Sequence, residues 1–184
     1  MHRPIRYSLF FVLTCCIPLL VTAQAFNTSN GNIHFRSDAP LELIKASSKE
    51  MRGKLVADKK AFAFTVKIRS FNGFNSPLQK EHFNENYLES NVYPDATFSG
   101  RIIEDIDFTQ NGTYTVRAKG ILTIHGVQQE RIIKSEITIK NGNLKISSAF
   151  TVQLNDHNIP IPKVVHEKLA SEINVEVTAD LISK

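Results

Sequence analysis

Tryptophan is absent from this 184-residue sequence, and cysteine occurs only at Cys15 and Cys16. Whatever folds after residue 26 therefore has no disulfide and no thiolate, and must be held by packing. His34, His82, His125, His157 and His166 are scattered, and none has the spacing of a local metal motif such as His-Glu-x-x-His. No Gly-x-Ser-x-Gly marks a nucleophile elbow, and no glycine-rich loop is built for phosphate. No long Lys/Arg run is present, which excludes a nucleic-acid footprint. The net charge of +4 falls by two when Arg3 and Arg6 are set aside. The acidic run Glu104-Asp105-Ile106-Asp107 has the chemistry for weak Ca²⁺ binding, but a solvated loop is the simpler reading.

Long apolar runs are also missing. Tyr7 to Val21 is apolar but spans only about 15 residues, short of the roughly 20 a membrane helix needs. Arg3 and Arg6 precede it, and Ala23-Gln24-Ala25 follows as a small-x-small cleavage site. Residues 1–25 are expected to be a secretory signal peptide, placing residues 26–184 in the periplasm or outside the cell. That remainder is long enough for one ordinary core.

What is abundant is alternation. Tyr114, Val116, Ala118, Leu122 and Ile124 form one apolar face, with Thr115, Arg117, Lys119 and Thr123 between them. Ile133, Ile137 and Ile139 form the next, then Leu144, Ile146, Phe150, Val152 and Leu154. A period of two with β-branched residues is the pattern of strands with one wet face. Asn141-Gly142 joins the last two as a type I′ hairpin, whose central residues both need φ > 0. Upstream, Ile33 to Ser37 and Leu41 to Ala46 read as two short strands after Asn30-Gly31, and Lys49 to Ala57 as another. Ala61 to Phe71 is a longer one, with Phe62, Phe64, Val66 and Ile68 facing one way. Ala96 to Ile103 and Ile173 to Leu181 complete the set.

One helix interrupts the strands. Ser76 is the expected N-cap, Pro77 occupies the first turn, and Gln79 completes a capping box. The helix should run to about Ser90, with Leu78, Phe83, Tyr87 and Leu88 as its apolar contacts, before Tyr93-Pro94 stops it. Lys163 to Ala170 is expected to be a short helix. The fold class is therefore all-β with one inserted helix, an antiparallel β-barrel of about eight strands. A two-sheet sandwich is the alternative.

Three segments carry a family resemblance. Leu78-Gln79-Lys80-Glu81-His82-Phe83, Tyr87-Leu88 and Tyr93-Pro94-Asp95-Ala96-Thr97-Phe98-Ser99 form the first. Gly120-Ile121-Leu122-Thr123-Ile124-His125-Gly126-Val127 is the second, and Ile159-Pro160-Ile161-Pro162 the third. Together they resemble the YceI-like family of secreted bacterial proteins. Tyr87-Leu88 stands where that family often has two phenylalanines. The resemblance implies an extended lipocalin-like barrel, in some members holding a polyisoprenoid chain, with the helix lying over one mouth.

Phe62, Phe64, Val66, Ile68, Phe98, Val116, Ile137, Ile146, Phe150, Val152 and Val175 are the expected cavity lining, joined from the helix by Phe83, Tyr87 and Leu88. The same residues could instead fill the barrel. The expected function is non-catalytic binding, transport or sequestration of an amphiphilic lipid, an isoprenoid or isoprenoid quinone, with no cofactor. An enzyme using inward Ser135, Ser148 or Tyr114 is the alternative, as is an interaction module with a solid core. Lys67, Arg69, Arg101, Arg117 and Lys119 face outward, where transient contact with a membrane surface stays open, as does a dimer.

Overall fold

The computed structural model describes residues 24–183; the expected signal peptide lies almost wholly outside them. Eight antiparallel strands follow one another around a closed barrel. They are β1 (Ala25–Asp38), β2 (Leu43–Val56), β3 (Ala61–Lys67), β4 (Asp95–Ile102), β5 (Gly112–Ile124), β6 (Val127–Lys140), β7 (Asn143–Gln153) and β8 (Glu172–Ser183). Each pairs with its chain neighbours, and β1 pairs with β8 through Phe26↔Ser183 and Phe35↔Val175. That last pairing removes both sheet edges and rules out the sandwich.

Tight turns lie where the sequence demands them. His125 (φ 51°) and Gly126 (φ 72°) join β5 to β6, and Asn141 (φ 51°) and Gly142 (φ 75°) join β6 to β7. Two consecutive left-handed residues match the right-handed twist of the flanking strands. Two expectations near the start need correction. Asn30-Gly31 does not precede the first strand but lies inside the 14-residue β1, between register shifts against β2. A Cβ on Gly31 would press on the flexible end of the Met51 side chain, which would have to shift. The two strands expected on either side of Ser47-Ser48 are one strand, β2. Ser48 is buried and stays in the strand because its hydroxyl bonds Ser70 Oγ at 2.6 Å and accepts from Glu50 N–H.

The helical connection β3–β4 is shorter than expected. Strand β3 gives way to a 3₁₀ turn at Ile68–Ser70, and α1 spans only Pro77–His82. Ser76 caps it by accepting from Gln79 N–H at 3.1 Å, while Gln79 Oε1 accepts from Asn75 N–H. A π-helical turn follows at Phe83–Tyr87, with Leu88 N–H donating to Phe83 O. Widening the turn brings residues five apart onto one face, so Phe83, Tyr87 and Leu88 all face the barrel. Lys163 to Ala170 holds only a 3₁₀ turn, at Lys163–Val165.

The two ends of the barrel differ. One end carries the short connections β2–β3 and β6–β7 and the β4–β5 loop. Phe26, Leu55, Phe108, Ile139, Leu144 and Leu181 pack together there, each at most 4% exposed. The other end carries the β1–β2 tip, α1 and the long loop between β7 and β8.

Candidate functional site

Above the packed end the barrel is hollow. A cavity of about 540 Å³ runs between the strands and out past α1 and the β7–β8 loop. That volume lies within the range of pockets that hold drug-sized molecules. Phe26, Phe108, Ile139, Leu144 and Leu181 lie below it as a floor, whereas Ile137 and Ile146, one inward position up, line it. The interior is thus solid at one end and hollow at the other.

The structure places Phe62, Phe64, Val66, Ile68, Phe83, Tyr87, Leu88, Phe98, Val116, Ile137, Ile146, Phe150, Val152 and Val175 around this cavity. Others were not anticipated. Phe35 of β1 stacks on Phe83 with centroids 5.4 Å apart, and Phe71 and Phe74 close on the same ring at 5.9 and 5.0 Å. Phe71, the last residue of the expected strand Ala61 to Phe71, and Phe74 lie on either side of Asn72, which bridges to Ser47. Leu169 and Val165, from the β7–β8 loop, also line the cavity. They come from a stretch with no periodicity.

Polar groups on the wall are few. At the mouth stand Glu42, Ser76, Gln79, His82 and Lys168, and Gln79 Nε2 donates to Glu42 Oε1 at 2.9 Å. Burial among apolar neighbours pushes the Tyr87 phenol above its ordinary value. Deeper, Ser148 donates to Ser135 at 2.7 Å, across β6 and β7. Tyr114, expected to point into the cavity, instead packs beside the floor with its hydroxyl directed at Gln110 O. Among the described residues, no three His, Cys, Asp or Glu are grouped to hold a metal. The acidic run is divided among separate partners: Glu104 takes the Arg117 N–H and guanidinium, Asp105 the Lys60 ammonium, and Asp107 the Thr109 hydroxyl and N–H. The outward cations lie on the wall, where Arg117 pairs with Glu104 and Lys119 with Glu130.

One corner of the open end is sealed. Leu88, Leu154, Ile159, Ile68 and Ile173 form a small second core there. The Tyr93 ring packs edge-on against His125 at 4.7 Å, and a Cβ on Gly126 would collide with it. His125 Nε2 lies 2.6 Å from Glu89 Oε2 and its Nδ1 3.1 Å from His157 O. His157 is itself fully buried. The segments Tyr93-Pro94, His125-Gly126 and the approach to Ile159-Pro160 therefore meet at one place. These are the three segments that carried the resemblance.

The YceI-like domain model matches residues 23–181. The chain belongs to the YceI-like family. A polyisoprenoid binding domain from Saccharophagus degradans, implicated in plant cell wall breakdown, shares the fold of this YceI-like chain with a TM-score of 0.74 at 11% identity. That match covers 88% of this chain and 99% of that one. BcnA of Burkholderia cenocepacia matches at TM-score 0.67 and 13% identity, over 82% and 95% of the two chains. A Campylobacter jejuni YceI protein matches at 0.54 and 18%, over 98% and 99%. A search of curated proteins found no match. At these identities the structural neighbours speak for the fold alone.

Proposed function

We propose that this YceI-like domain is a non-catalytic carrier that sequesters an amphiphilic lipid of the polyisoprenoid or isoprenoid-quinone type, working in the periplasm or outside the cell after loss of residues 1–25. One observation carries the reading: an apolar cavity of about 540 Å³ that stands on a packed floor and leads out past α1. A chain buried there gains about 25 cal/mol for each Å² taken from water, with no directional contacts required. The printed name of the Saccharophagus neighbour, a polyisoprenoid binding domain, supports the ligand class. Exchange would take place at the mouth, against a membrane surface. Leu41, Leu43, Leu78 and Val164 support this, since all lie exposed around the opening, Val164 at 89%.

Native mass spectrometry of protein purified from its own host tests the carrier reading. The expected result is a bound amphiphile that leaves on organic extraction and is replaced by added isoprenoid. Ligand-free protein that takes up no isoprenoid overturns it. Fractionation of cells expressing the full chain tests the location. Retention of residues 1–25 on cytoplasmic protein would overturn export.

A further inference from the structure

Three segments that line the open end of the cavity are tied together at its sealed corner. Tyr87 and Leu88 come from the β3–β4 connection, Ile124 from the end of β5, and Leu154 and Ile159 from the β7–β8 loop, and all five line the cavity. The tie runs through neighbours that do not line it. Glu89, the residue after Leu88, meets His125 Nε2, and His125 Nδ1 meets the backbone oxygen of His157. The His157 ring, at the end of the 3₁₀ turn Leu154–His157, in turn reaches Val127 O through its Nδ1. Glu89, His125 and Asn158 are three of the five non-glycine residues with left-handed φ among the described residues. Such backbone persists where its surroundings impose it, so these contacts hold the corner in shape.

His157 is the piece of the tie that a proton can break. Its Nδ1 spends its hydrogen on a carbonyl, so the neutral ring presents a bare Nε2, which is buried and has no partner among the described residues. A proton at Nε2 would put a charge and an unmatched donor into the corner. Burial opposes that charge most. The oxygens of Val127 and Ile124 and the Asp156 carboxylate favour it without prevailing, and Arg131 of β6 opposes it. His125 and Glu89 stand at the backbone side of the turn, bonded to each other. To take up a proton at low cost, His157 has to leave the corner, and its backbone oxygen then leaves His125.

We propose that Glu89, His125 and His157 form an acid-operated clasp: protonation of His157 frees the β7–β8 loop from the β5–β6 turn, Leu154 and Ile159 withdraw from the cavity wall, and the bound molecule is released at the open end. This rests on the lipid-carrier reading and adds the regulation of that site. By linkage, a bound molecule that needs the wall closed disfavours the proton to the same degree.

The test titrates the protein with N-phenyl-1-naphthylamine at pH 7.5 and pH 5.5, with far-UV circular dichroism following the strands at both. Wild type should bind roughly five- to tenfold more weakly at pH 5.5, since one proton linked to release changes affinity by at most about tenfold per pH unit. His157→Gln keeps a donor for Val127 O and does not titrate, so its affinity should change by less than about twofold. Glu89→Gln, at the exposed end of the tie, should speed probe dissociation at pH 7.5 roughly two- to fivefold, and it carries the test if His157→Gln does not fold. Equal wild-type affinity at both pH values, an unaltered pH dependence in folded His157→Gln, unchanged dissociation in Glu89→Gln, or loss of the strand signal at pH 5.5 overturns the clasp and leaves the carrier reading standing. Absence of probe binding by wild type at pH 7.5 overturns both.

Discussion

The rings of Phe35 and Phe83 lie stacked, 5.4 Å apart and 18° from parallel, although one belongs to a barrel strand and the other to the π-helical turn over the mouth. Phe71 and Phe74 complete the cluster around Phe83. These four rings fasten the β3–β4 connection to the barrel wall. Phe83→Ala removes the central ring, and because Phe83 is only half buried the loss should be about 1–3 kcal/mol, below that of a full core truncation. Urea unfolding measures it. Ligand release should also quicken, because the mouth loses one wall.

Gly53 and Phe64 make a second pair across β2 and β3, and a Cβ on Gly53 would overlap the Phe64 ring. Phe64 lines the cavity, so the ring of a Gly53→Ala variant has only that space to move into. A stability loss of about 1–3 kcal/mol is expected from overpacking. Probe binding should weaken at the same time, read by displacement of N-phenyl-1-naphthylamine.

The floor should behave differently. Leu181 is fully buried, pairs across from Leu144 and does not line the cavity. Leu181→Ala should cost about 2–5 kcal/mol in urea unfolding while leaving the affinity for a lipid probe close to wild type. A large loss of affinity in the folded variant would show that the floor belongs to the binding site.

His157 makes stability depend on pH. Burial holds its imidazole below the ordinary value of 6.5. Its Nδ1 lies 3.2 Å from Val127 O, and its Nε2 has no partner among the described residues. The unfolded chain therefore binds this proton first. The contribution is whole above pH 6.5 and is lost as the pH falls toward the folded value. Glu104 and Asp107 are also held below their ordinary values, 4.5 and 3.8, so their losses come only at lower pH. Urea midpoints should therefore drop between pH 7.5 and pH 5.5, and His157→Gln should flatten that slope. An unchanged slope in the variant would assign the effect elsewhere.

Much of the barrel was legible in sequence because β-strands with one wet face declare themselves by alternation. Val116, Ile137, Ile146 and Val152 were placed inward by that rule alone, and the turn at Asn141-Gly142 by the backbone angles it needs. The rule failed where polar residues sit inside a strand. Ser47-Ser48 looked like an interruption, but Ser48 finds its partner in Ser70, 22 residues away, which no local pattern contains. Asn30-Gly31 was placed ahead of the first strand, but β1 begins at Ala25 and runs through both residues.

The sequence by itself determined the all-β class, the β6–β7 hairpin, most of the inward faces and the family, because each depends on local periodicity or short motifs. Whether those inward faces meet or leave a space was a tertiary matter. It depends on which side chains reach across the barrel, and that changes along its axis: Phe26, Phe108 and Leu181 close one end, while the inward side chains above them, Phe62, Phe64 and Phe98 among them, leave the other hollow. The aromatic cluster at the mouth and the sealed corner around His125 and His157 were likewise decided by contacts between segments far apart in the chain.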